Sequence, residues 1–228
     1  MTLPPLAFDA VVFDVLGTLV DEPAGIRAAI AAAAPSHDEA AVEELLGVWQ
    51  AHIAREQERI VAGQRVFAPS EVLDAEAAAL VAQHAGTADP ATVAALATAG
   101  HRVPPWPDTH SGLARLAERY PLIGLSNASH SALLRLNAHA GLRWHQALSA
   151  QAASTYKPAA AVYRLAVDVA ACPPERLLMV AAHAWDLRGA RAVGLRTAYV
   201  ARPVGDPPTA GDGFDLHAQG LDDLAEQL

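Results

Sequence analysis

The chain holds one cysteine, Cys172, among 228 residues, which excludes an internal disulfide and any multi-thiolate metal site. It also holds one lysine, Lys157; every other basic side chain is arginine. A sequence that uses arginine for its generic cations and keeps one ammonium marks Lys157 as a place for a compact point charge that a planar guanidinium cannot replace. A single surface lysine left by chance is the competing explanation. Basic runs are missing too, and acidic residues outnumber basic ones to give a net charge of −9. Nucleic acid and anionic membrane are therefore poor partners, although a pocket's local field can still receive a small anion. No apolar run reaches the roughly 18 residues that span a bilayer. Residues 1–9 lack a basic segment followed by a long apolar one, so no secretory leader is expected. The expectation is a cytoplasmic protein.

What the chain does have is apolar bulk. Hydrophobic residues make up 52% against 18% charged, enough for one large domain or for a core with an appendage. The stretch Ala10-Val11-Val12-Phe13-Asp14-Val15-Leu16-Gly17-Thr18-Leu19 carries the clearest local signal. An apolar strand delivers Asp14 to its carboxyl end, and Gly17-Thr18 turns the chain sharply, as at the catalytic edge of an open α/β sheet. Asp14 as a plain turn or cap residue is the alternative.

Residues 7–15 read as the first strand. The pattern then becomes helical: Gly25 to Ala34, stopped at Pro35, and a helix opened by a capping box, Ser36 with Glu39. Val42, Leu45, Leu46, Trp49, Ile53 and Ile60 give that helix an apolar stripe ending at Gly63. Helices from Ser70 to His84 and from Asp89-Pro90 follow. After Pro104-Pro105-Trp106-Pro107 the chain alternates: helix 108–119, strand 121–126, helix 129–140, strand 146–150, helix 159–171, strand 176–182, helix 187–193, strand 196–200, and a final helix 221–228. Alternation of this kind implies a parallel sheet with right-handed crossovers. The expected architecture is an α/β, Rossmann-like core (1–21 and 101–228) with an inserted α-helical cap (22–100).

In a parallel sheet the carboxyl ends of neighbouring strands converge on one crevice. Asp14 and Thr18, Ser126 and Asn127, Lys157, and His183, Trp185 and Asp186 all fall there. A carboxylate, a hydroxyl–amide pair, an ammonium and a second carboxylate make a consistent nucleophile site. Each has a bland reading alone: Ser126-Asn127 and Asp186 as helix caps, Trp185 as core.

The four segments resemble the haloacid dehalogenase superfamily. Asp14-Val15-Leu16-Gly17-Thr18-Leu19 matches its first motif, Ser126-Asn127 the second, Lys157-Pro158 the third and Val180 to Asp186 the fourth. Phosphatases of that superfamily carry a second Asp where this chain has Leu16, and an acid beside glycine where it has Ala181-Ala182. Leucine transfers no proton, and the two changes leave a poor site for Mg²⁺. The resemblance therefore implies the L-2-haloacid dehalogenase branch, needing no metal or cofactor. Asp14 would displace halide from a small 2-haloacid, and water would hydrolyse the ester. Lys157 would hold Asp14 ionised, and Asp186 would position Lys157 or the water. Val15, Leu16 (through backbone amides), Thr18, Ser126 and Tyr163 would contact substrate. Asn127, Trp185, His183 and Gln50 would line the halide pocket.

Gln50 follows Trp49 where relatives often place a halide-binding Arg; Arg55 and Arg59 are the alternatives, on other faces of the helix. His183 replaces an Asn, and either acts on water or halide or is simply packed. The resemblance also implies a homodimer. The competing functions are a phosphatase or phosphonate hydrolase, and a non-catalytic small-anion binder.

Overall fold

The computed structural model describes residues 8–87 and 89–228, so residue 7, the expected start of the first strand, lies outside them. The strands are β1 (Ala10–Phe13), β2 (Leu122–Ser126), β3 (Gln146–Ser149), β4 (Leu177–Ala181), β5 (Arg196–Val200) and β6 (Leu216–Ala218). They form one parallel sheet in the order β3-β2-β1-β4-β5-β6. The helices are α1 (Glu22–Ala33), α2 (Glu39–Val61), α3 (Ser70–His84), α4 (Pro90–Ala97), α5 (Thr109–Ala117), α6 (His130–His139), α7 (Ala160–Ala170), α8 (Ala184–Val193) and α9 (Leu221–Gln227). None of them is long and apolar enough to cross a membrane.

Strand β1 is buried throughout, and its two-residue period divides its side chains between two layers. Val11 and Phe13 join Leu113, Leu116, Leu133, Leu136 and Leu221 from α5, α6 and α9. Ala10 and Val12 join Val162, Tyr163, Ala166, Leu187 and Ala190 from α7 and α8. Helices thus cover both faces, and the strand order reverses at β1, which places the ligand crevice at its carboxyl end. Helices α1–α4 pack around a separate apolar cluster that includes Ile26, Ile30, Leu45, Leu46, Trp49 and Leu96. Burying such side chains contributes about 1.5–3 kcal/mol each. Near the end of α2, Ile60 turns instead to the sheet-side cluster with Leu73, tying the helical layer to the sheet.

Several boundaries differ from expectation. The first helix starts at Glu22 rather than Gly25, because Asp21 caps it by accepting from Ala24 N at 3.1 Å. Ser36 and Glu39 form no capping box: Asp38 is the cap, accepting from Ala41 N at 2.9 Å, and Glu39 is already helical. Helix α8 starts at Ala184, not Leu187. Strand β6 was not expected; it spans only three residues after a proline-rich loop, too short to show an alternating pattern.

Candidate active site

The site grows from the end of β1. Asp14 N donates to Val180 O at 3.0 Å, extending the parallel pairing by one residue before the chain turns. Gly17 makes the turn at φ +79°, and a Cβ there would come within 2.5 Å of His183 Nε2. Only glycine suits both the backbone and the space. Trp106 Nε1 donates to Gly17 O at 3.0 Å and Arg202 Nε to Thr18 O at 2.9 Å, so the turn is gripped from two later segments.

At its centre Lys157 Nζ donates to Asp14 Oδ1 at 2.9 Å and to Asp186 Oδ2 at 2.7 Å. Thr18 Oγ1 donates to Asp14 Oδ2 at 2.7 Å and accepts from Ala182 N at 2.9 Å. Tyr163 Oη donates to Asp186 Oδ1 at 2.6 Å. Asp14 is 6% exposed, Lys157 3% and Asp186 0%. Burial by itself would lower the Lys157 ammonium, but Asp14 and Asp186 outweigh it and raise its pKa. Burial pushes Asp186 above the ordinary carboxyl range, Asp14 adds to this and Lys157 opposes it. Burial, with the charge of Asp186, also raises the Tyr163 hydroxyl, leaving it a donor. Asp14 keeps slightly more exposure than its partners.

Close to Asp14 in the chain, Leu16 lines a cavity of about 50 Å³ together with Glu22, Trp49, Gln57, Asp74 and Asn127 among others; Asp14 is not itself part of the lining. A second space of about 180 Å³ shares Glu22, Trp49 and Gln57 with it and adds Leu46 and Gln50. The inner volume suits a ligand of a few heavy atoms. Among the described residues no group of His, Cys, Asp or Glu is arranged as a metal site. A sequence model of the haloacid dehalogenase-like hydrolases matches residues 8–194.

The chain belongs to that hydrolase family.

It is 31% identical over 199 residues to (S)-2-haloacid dehalogenase H-109 of Pseudomonas putida, covering 85% of this chain and 86% of the relative. The solved L-2-haloacid dehalogenase PA0810 superposes with a TM-score of 0.87 at 32% identity, over 97% of this chain and 98% of its own. The defluorinating L-2-haloacid dehalogenase Rha0230 gives 0.88 at 31% identity, over 97% and 95%.

Within this family frame, the residues expected at the site divide into groups. Asp14, Lys157 and Asp186 are brought together as the motifs required. Thr18, Ser126 and Tyr163, expected to touch substrate, are fully buried. Thr18 is committed to Asp14, Tyr163 to Asp186, and Ser126 Oγ accepts from Ala128 N at 3.1 Å. Their hydroxyls face inward because each satisfies a buried polar atom. Val15 is also buried, while Leu16 lines the cavity.

Asn127 lines the cavity too, but its side chain is a bridge. Its Oδ1 accepts from Lys157 N at 2.9 Å and its Nδ2 donates to Gln57 Oε1 at 3.1 Å. Trp185, expected in a halide pocket, is 38% exposed and stacks on His183 with ring centroids 5.9 Å apart. Neither ring lines the cavity; His183 packs over Gly17. Gln50 is exposed and reaches only the outer space. Arg55 and Arg59 do not turn into the cleft: both donate to Glu56, which Arg65 also holds at 2.7 Å.

Glu22, Gln57, Asp74 and Trp106 were missed by sequence reasoning. Gln57 falls one turn past Ile53 on the buried face of α2, a weak signal that was present. The others lie outside any motif.

Proposed function

We propose that this chain hydrolyses short 2-haloalkanoic acids, haloacetate and L-2-halopropionate among them, with Asp14 as covalent nucleophile and with no metal. One oxygen of the Asp14 carboxylate attacks the halogen-bearing carbon, and the carbon–halogen pair leaves as halide. Water then adds to the Asp14 carbonyl carbon and the acyl C–O bond breaks. The products are the 2-hydroxy acid, a free carboxylate and one proton released to solvent. Halide is a stable anion and needs no general acid.

The observation that carries this reading is the pairing of Asp14 with Lys157 and Asp186 beside Leu16, where a proton donor would stand if the leaving group needed one. Lys157 pairs with Asp14 and aligns it. Thr18 fixes its other oxygen, and Tyr163 with Asp186 anchors Lys157. The backbone amides of Val15 and Leu16 receive the substrate carboxylate, and Asn127 with the cavity rim receives the halide. Residues 22–100 act as the cap that closes over the substrate, and the enzyme works as a homodimer.

The test is halide release from chloroacetate, L-2-chloropropionate and fluoroacetate by the wild type and Asp14→Asn. One turnover in ¹⁸O-water places the label in Asp14 and not in the product. No halide from any of the three substrates, or activity abolished by a chelator, overturns the reading.

A further inference from the structure

A haloacid enters with its own negative charge, and the cavity that would receive it is lined by carboxyl groups without a compensating cation. Glu22 opens α1 and Asp74 sits one turn into α3; both line the inner cavity above Leu16 and Asn127. Glu22 also lines the outer space leading to it, so a ligand passing from one to the other goes by this side chain. Arg55 and Arg59 of α2 pair with Glu56, and Arg65, just beyond that helix, pairs with Glu56 and Glu76.

We propose that Glu22 and Asp74 are the specificity-determining pair of this cavity: as neutral acids they admit a mono-anionic 2-haloacid, and as carboxylates they exclude anions. The proposal rests on the dehalogenase reading above. Partial burial against Leu16, Ile26, Trp49 and Ile53, which line the same cavity, is the main physical cause. It pushes Glu22 up to about 7, with Asp14 adding and His183 opposing. It pushes Asp74 up to about 8, with the charges of Glu22 and Glu71 adding.

Other titratable groups around them are accounted for. Tyr156 feels the charge of Asp74, and burial raises its hydroxyl well above the ordinary range, so it stays neutral. His101, on the rim, is held below the usual imidazole range by burial and by Arg135 and Arg102, with Glu71 opposing. Glu71 is hydrogen-bonded to Ser131. Arg65 acts on Tyr156 but is spent on Glu56 and Glu76. Below neutrality the pair holds its protons and donates hydrogen bonds, and as pH rises the cavity gains up to two negative charges. In a partly dry site each added charge repels an anion strongly.

The experiment measures chloroacetate binding to Asp14→Asn by calorimetry, beside halide release by the wild type, across the same pH series. The expected dissociation constant rises on the order of tenfold or more between about pH 6 and about pH 9. Adding Glu22→Gln or Asp74→Asn flattens that rise, and adding both reduces it to under about threefold. Asp74→Asn, which removes a carboxyl not coupled to His183, separates the two acids, so flattening in that variant assigns the titration to the carboxyls. Halide release with pH-independent binding overturns the gate and leaves the dehalogenase reading standing. A rise that survives in the double variant also overturns the gate. Absence of binding at every pH, with no halide released, overturns both.

Discussion

Two clusters of paired charge flank the cleft, and they are built alike but buried differently. On the sheet side, Lys157 links Asp14 and Asp186, with Tyr163 behind, all shut off from solvent. On the cap side, Arg55, Arg59 and Arg65 converge on Glu56, and Arg65 with His52 holds Glu76. Glu56 is buried there but its arginines reach solvent, Arg55 with 58% of its side chain exposed. Water therefore screens one end of every pair in the cap, and hydration is nearly absent at the sheet. Burying an ion pair costs several kcal/mol of desolvation per ion, so such a cluster is weak evidence for stability and better evidence for chemistry. The cluster on Glu56 ties its helices together; the sheet cluster fixes the position of the Asp14 carboxylate through Lys157 and Thr18.

The comparison can be broken in stages. Asp14→Asn should abolish halide release altogether while leaving the fold intact, as read by thermal denaturation. Lys157→Arg should lower kcat by between about a hundredfold and a thousandfold, because a planar fork cannot replace a point charge between two carboxylates. Activity within threefold of wild type would show that the ammonium does not orient Asp14. Tyr163→Phe removes one donor from Asp186 and should cost about 1–3 kcal/mol in stability, with roughly tenfold lower activity.

On the cap side, Glu56→Gln should cost about 1–3 kcal/mol at neutral pH with halide release nearly unchanged. Its arginines, Arg65 first, hold Glu56 down to about 2 from an ordinary 4.5. Its contribution is therefore complete above the unfolded value and is lost as pH falls through the folded one. Urea denaturation of both proteins between neutrality and about pH 2 should show their stabilities converging. Arg55→Ala, at the exposed rim, should change stability by less than about 1 kcal/mol. A larger loss there than in Tyr163→Phe would reverse the ranking of the two clusters.

The motifs were legible because a parallel sheet forces strand ends together. Once β1, β2 and β4 alternate with helices, Asp14, Asn127 and Asp186 must meet, and Lys157 arrives from the loop before α7. The lone lysine was visible in composition alone. The sixth strand escaped because three residues carry no period, and the capping box at Ser36 failed because Asp38 stood closer to the helix start.

Sequence by itself thus determined that Asp14, Lys157 and Asp186 share one crevice and that Leu16, beside them, offers no side-chain proton donor. Each is a matter of residue type at a strand end, and strand ends follow from apolar periodicity. Only the tertiary structure decided which polar groups face the ligand. Thr18, Ser126 and Tyr163 point inward because buried partners claim their hydroxyls. Glu22 and Asp74 line the cavity because α1 and α3 bring them to it. Burial depends on the path of distant segments, and it sets both the direction of a hydroxyl and the charge of a carboxyl.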